Sequence, residues 1–170
     1  MFKRVAVLVP PCMLAPGLQA KSKDTLWRKK LIQAILEYDA DIIPFICTES
    51  CFGGYTNGLQ RVPHGISYYS SLDGYREFCR RQAEVLYEQV VSMEEGGYTF
   101  AAVIGIEHSP SCAVKYMYSN RGTIQRPGIF MECLMDFFSQ KEPNITFIGV
   151  NRRYPQKAIE NLSHTLRQFC

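Results

Sequence analysis

Three cysteines stand where a parallel sheet would bring them together. Cys12 follows the apolar run Val5-Ala6-Val7-Leu8-Val9, Cys47 follows Asp41-Ile42-Ile43-Pro44-Phe45-Ile46, and Cys112 follows Phe100-Ala101-Ala102-Val103-Ile104-Gly105-Ile106. Each run reads as a strand, and the carboxyl ends of parallel strands share one edge, with neighbours roughly 4.8 Å apart. Open α/β sheets take their ligands at that edge. The third cysteine closes the turn Ser109-Pro110-Ser111-Cys112. Pro110 offers no N–H, so the ladder stops and two hydroxyls and a thiol are presented together. Glu49, two residues past Cys47, adds a carboxylate, which is costly to bury unless it is paired or at work.

Convergent thiolates suit few roles. Structural zinc takes four ligands, usually with a close cysteine pair, and Cys47 and Cys51 fall within that spacing. A disulfide would leave one of the three thiols over. An iron–sulfur cluster also suits them, and three cysteines on a four-iron cube leave one iron open to a substrate. Cys51 could replace Cys47 as the middle ligand. Cys79 and Cys133 lie in helical apolar stripes and read as core, since buried free cysteine is common. Cys170 is the terminal residue.

With these residues in view, the chain resembles the TudS-like (thiouracil desulfurase) family. Pro11-Cys12-Met13-Leu14 is similar to that family's x-C-L-L-G loop, and Cys47-Thr48-Glu49 with Gly53-Gly54 to its C-P-E…G-G. Ser109-Pro110-Ser111-Cys112 is similar to its S-P-S-C-G, the most specific of the three, and Pro127-Gly128-Ile129 is a weaker echo. The resemblance implies a [4Fe–4S] desulfidase that takes sulfur from a small thiocarbonyl compound. It implies Cys12, Cys47 and Cys112 as cluster ligands, Glu49 as acid/base, and Ser109 or Ser111 as the residue that orients or protonates the substrate. Thr48, Ala113, the pair Glu107-His108 and the additional Cys51 depart from the pattern, so the resemblance is to a divergent branch of the family. The reading from another class is a non-enzymatic module holding zinc, a redox thiol pair or a ligand at the same edge.

The elements that must position these residues follow from periodicity. Asp24 is a candidate N-cap for a helix carrying Trp27, Leu31, Ala34, Ile35 and Tyr38. Pro44 marks the second strand as an edge or bulged strand. The stretch 47–71 has little periodicity and reads as a long functional loop. It has turn signals at Gly53-Gly54 and Asn57-Gly58, and Arg61, His64, Tyr68 and Tyr69 are candidate ligand contacts. A helix with Tyr75, Phe78, Cys79, Leu86, Val90 and Met93 on one face should start near Ser71 or Asp73 and end at Gly96-Gly97 in a left-handed cap. Lys115 to Arg126 is polar, with a turn at Asn120-Arg121-Gly122. Pro127 opens a helix, Ile145 to Val150 is the fourth strand, and Pro155 opens the last helix, with Ala158, Ile159, Leu162, Leu166 and Phe169 inward. The alternation predicts one doubly wound α/β domain over residues 1–170, with a mostly parallel sheet of about four strands covered on both faces.

The composition narrows the partners. At 170 residues and net charge +3, with acids and bases interspersed, nothing demands a nucleic acid or an anionic membrane. The run Arg28-Lys29-Lys30 reads as the wet face of a helix. No apolar stretch reaches the ~18 residues of a membrane span, and the start of the chain does not read as a signal peptide. Seven cysteines in a chain with a sizeable core favour reduced thiols and a cytoplasmic setting. Of the histidines, His108 is a partly exposed turn residue able to tune a proton or bond a ligand, and His164 reads as solvated. Glu107 reads equally well as a solvated turn carboxylate.

Overall fold

The structure is a computed structural model and describes residues 4–18, 26–53, 65–141 and 145–169. Asp24, Gly54, Asn57-Gly58, Arg61, His64 and Cys170 lie outside the described residues. Four parallel strands form the main sheet: β1 (Arg4–Val9), β2 (Asp41–Pro44), β3 (Tyr98–Ile106) and β6 (Thr146–Val150). Their order is β2-β1-β3-β6. β1 and β3 are central, and their apolar runs are buried on both faces, as parallel strands under helices require. Pro44 lies on an edge strand, where its missing N–H interrupts no ladder.

The helices cover both faces. α2 (Leu26–Leu36) and α7 (Gln156–Leu166) pack on one side over Val7, Val9, Ile104 and Ile148, through Trp27, Leu31, Ile35, Leu162 and Leu166. α5 (Tyr75–Glu95) and α6 (Ile129–Lys141) pack on the other over Leu8, Phe100 and Val103, through Tyr75, Cys79, Leu86, Phe130 and Leu134. Cys79 and Cys133 are both buried in this second core. The expected doubly wound architecture is therefore present. In this strand order the connections leave the sheet in opposite directions from β1 and β3, and the crevice beyond their carboxyl ends is the topological switch point.

Several connections are more ordered than periodicity suggested. The loop after β1 contains a single helical turn, α1 (Pro11–Leu14), and a 3-10 turn at Pro16–Leu18. The stretch read as a long loop contains α3 (Thr48–Gly53) and α4 (Ile66–Ser71). Both are too short to display a periodic stripe. The polar stretch after Lys115 is a hairpin of β4 (Tyr116–Ser119) and β5 (Gly122–Gln125), with its turn where expected. The second strand ends at Pro44 rather than Ile46, and α6 begins two residues past Pro127. At the end of α5, Gly97 adopts φ +100°, the left-handed closure expected there.

Candidate functional site

Cys12, Cys47 and Cys112 all lie at the carboxyl edge of the sheet, one past each of three adjacent strands. Cys12 is in α1, whose turn is closed by Met13 N–H to Pro10 O at 2.9 Å and Ala15 N–H to Pro11 O at 2.8 Å. Arg28 of α2 reaches the carbonyls of Met13 and Leu14, both at 3.4 Å, so this member of the basic run ties α2 to the Cys12 loop. Cys47 immediately precedes α3, and its sulfur accepts a hydrogen bond from Ser50 Oγ at 3.2 Å. Cys51, one helical turn on, is exposed.

The Cys112 turn is held from three sides. Ile106 N–H donates to Cys112 O at 3.1 Å, folding the turn back on β3. The start of α6 backs it, with Gly128 N–H on Ala113 O at 2.9 Å, Ile129 N–H on Pro110 O at 2.9 Å and Met131 N–H on Ser111 O at 3.1 Å. Helix starts carry N–H groups with no partner in the helix, and here the turn's carbonyls accept them. The approach is so close that a Cβ on Gly105 or Gly128 would overlap the carbonyl oxygen of Cys112 or Ser111. On the outer side, Glu107 is only 9% exposed. Its carboxylate accepts the N–H of Tyr116 at 2.7 Å and of Lys115 at 3.2 Å, so it is a buried brace rather than a solvated turn carboxylate.

The three thiols feel one another. Burial raises the pKa of Cys12 most, and charge on Cys112 and then on Cys47 raises it further, while the Arg152 guanidinium acts in the opposite direction. Burial pushes the Cys112 thiol up to about 12; a hydrogen bond with Ser109 opposes this, and charges on Glu49 and Cys47 add to it. Cys47 is raised by burial, with Ser50 opposing and Glu49 adding. All three pairs therefore lie within reach of each other's charge, with Glu49 among them. Among the described residues no three His, Cys, Asp or Glu side chains form a ready metal-ion site. A single zinc needs donors about 2.3 Å from a common centre, whereas thiolates on a four-iron cube stand roughly 6–7 Å apart. The fit to a cluster rests on the donor set: three half-buried free thiols at one edge, whose thiolate charges would oppose one another unless cations neutralised them.

Beside them lies a second group. Glu49, in the first turn of α3, accepts from Ser109 Oγ on Oε1 at 3.2 Å and from Tyr69 Oη on Oε2 at 3.1 Å. Burial raises its pKa, and these two hydrogen bonds pull against the rise. Ser109 Oγ also accepts the N–H of Cys112 at 3.0 Å and of Ser111 at 3.2 Å. A hydroxyl has two acceptor sites and one proton, so both acceptor sites of Ser109 are taken, and its one proton has two acceptors to serve, the Glu49 carboxylate and the Cys112 sulfur. Ser111 differs from Ser109. Its hydroxyl is buried against Thr48 Oγ1, which in turn bonds Tyr75 Oη at 3.1 Å. The structure thus brings Glu49, Ser109 and the three cysteines together and turns Ser111 into the core.

His108, one residue before Ser109, has φ +69°, its ring stacks on Tyr118 at 4.5 Å, and its Nδ1 is buried without a hydrogen-bond partner. Of the loop tyrosines, Tyr69 is buried and bonded to Glu49, while Tyr68 is exposed. Arg152 was not singled out by sequence; its signal was its place, two residues past β6 at the same carboxyl edge. No family model, curated protein or solved structure matches the chain. No helix among the described residues is long and apolar enough to cross a membrane.

Proposed function

We propose that this chain is an iron–sulfur desulfidase of the TudS-like type, replacing the sulfur of a small thiocarbonyl compound with oxygen from water. The observation that supports this most is the juxtaposition of three mutually interacting thiols with a half-buried carboxylate that is hydrogen-bonded to a serine. Cys12, Cys47 and Cys112 would hold the [4Fe–4S] cluster. When bound, such a cluster supplies an iron with Lewis acidity and affinity for sulfur.

The chain's own groups supply the rest. Overall, one C=S bond and one water become one C=O bond and hydrogen sulfide, with no change in oxidation state. Water is a poor nucleophile at neutral pH, so its proton must be taken as it adds to carbon. In this reading Glu49 takes it, and the rise of its pKa with burial supports that role, since it makes the carboxylate more basic. Ser109, which donates to Glu49, would pass a proton between it and the substrate. Its oxygen stays fixed throughout by the N–H groups of Ser111 and Cys112.

Glu49→Gln keeps the shape and removes the base, so iron content should hold while sulfide release falls ~10²-fold or more. Cys112→Ser should lose the cluster itself. Both variants are reconstituted anaerobically, iron is counted, and sulfide is assayed on a panel of thiolated pyrimidines and thioamides. Full activity in the glutamine variant would remove Glu49 from the mechanism. A parent protein that binds the cluster and never releases sulfide belongs to the binding class instead.

A further inference from the structure

Glu49 is gripped at both oxygens, and only one grip comes from the cysteine turn. Ser109 takes Oε1, and Tyr69 takes Oε2 from α4, an element with no cysteine and no part in the sheet. Both contacts, at 3.1 and 3.2 Å, are slightly longer than ordinary O–H···O bonds, and catalytic hydrogen bonds are often long before substrate tightens them.

The Tyr69 hydroxyl is held in place by its surroundings. The residue is 1% exposed. Its ring packs edge-on against Tyr68 at 5.4 Å and tilted against Tyr75 at 5.2 Å. Tyr75 Oη in turn bonds Thr48, the residue next to Glu49 in α3. A rigid aromatic wall therefore aims one hydroxyl at the far oxygen of the carboxylate. A glutamate has three side-chain torsions and sweeps a wide arc unless held. With only Ser109 as partner, the carboxylate could rotate about that single bond.

We infer that Tyr69 is the positioning residue of this site, fixing the Glu49 carboxylate so that one oxygen always faces Ser109 and the reacting atoms. The inference rests on the desulfidase reading for its catalytic consequence, but not for the contact itself. A base displaced by about 1 Å loses one to two orders of magnitude in rate while substrate binding is spared.

Tyr69→Phe keeps the ring and its packing and deletes only the hydroxyl. It is compared with Glu49→Gln, the double variant and the parent, each reconstituted anaerobically and also melted free of metal. Expected are parental iron content, a kcat lower by about 10-fold and KM within about 2-fold of the parent. In the Glu49→Gln background the phenylalanine should add no further loss of rate. In metal-free protein the double variant should lose less melting temperature than the two single losses added together, because the two residues share one interaction. Parental kcat in Tyr69→Phe overturns the inference. So does a raised KM with kcat intact, which would make Tyr69 a substrate contact. If the parent releases no sulfide, the desulfidase reading falls and the metal-free melts alone decide Tyr69. Non-additive losses keep the positioning contact, and additive losses overturn it.

Discussion

The carboxylate of Glu107 occupies the space where a side chain on Gly149 would stand. Glu107 directly follows β3 and Gly149 is the next-to-last residue of the neighbouring β6, and the missing side chain there leaves room for the carboxylate to collect the N–H groups of Lys115 and Tyr116. Those N–H groups begin the return of the chain after the Cys112 turn, so the pair braces the outer side of the site. In Gly149→Ala the new methyl group must displace Glu107, whose freedom to move is limited by the bonds it would give up. The expected cost is about 1–3 kcal/mol. Amide exchange at Lys115 and Tyr116 should quicken with the fall in melting temperature. Unchanged exchange at those two amides would refute the brace.

Ser109 and Ser111 lie two residues apart and do different work. Ser109→Ala removes the hydroxyl that donates to Glu49 Oε1 and accepts two N–H groups. Sulfide release should fall ~10²-fold with iron retained. Ser111→Ala leaves the Thr48 hydroxyl one partner short in the core, so it should cost about 1–2 kcal/mol of stability. Its effect on rate should be the smaller of the two. The reverse ranking in rate would assign the chemistry to Ser111.

What could be read ahead of the structure was whatever repeats along the chain or obeys a rule of topology. Four apolar runs and their intervening stripes define the sheet, and strand ends alone locate Cys12, Cys47 and Cys112 at one edge. The two serines looked equivalent, because which hydroxyl turns inward depends on Thr48 and Tyr75, distant in sequence. The burial of Glu107 is invisible in the sequence for a similar reason. A carboxylate after a strand is normally solvated, and only the empty space at Gly149 permits its burial. Tyr69 was visible as a candidate but without a role, since α4 is too short to carry a periodic signal and its partner lies in α3. Thr48 has a physical account here: it bonds Ser111 and Tyr75, joining the Cys47 helix to the Cys112 turn.

The edge strand carries a pH-dependent clasp. Arg4 on β1 donates from Nε at 3.0 Å and from its terminal nitrogen to the Asp41 carboxylate on β2, and this holds the Asp41 pKa below its ordinary value. The native state then binds its proton less readily than the unfolded chain. The stabilisation is fully present above the ordinary aspartate pKa of about 4 and fades as pH falls through the depressed value. Both side chains are partly exposed, so solvent screens the pair and the contribution is small. Asp41→Asn should lower the melting temperature slightly at pH 7 and not at pH 2. An equal loss at both values would mean that the carboxylate's charge contributes nothing to the clasp.

Thiol reactivity tests the site without any assay of turnover. In metal-free, reduced protein at pH 8, a thiol with a pKa of about 12 such as Cys112 has roughly one molecule in 10,000 ionised, and the thiolate is the form that alkylates. Cys12 and Cys47 are raised in the same direction by burial and by neighbouring charge. Cys51 is exposed. A brief iodoacetamide pulse followed by peptide mapping should therefore label Cys51 well ahead of the other three. Arg152→Gln removes the cation that favours the Cys12 thiolate, so Cys12 should become slower still. Reconstitution with iron and sulfide should then protect Cys12, Cys47 and Cys112 while Cys51 continues to react. Protection of Cys51 with Cys47 left reactive would move the middle ligand one helical turn along α3. Equal labelling of all four thiols after reconstitution would show that no cluster is held at this edge.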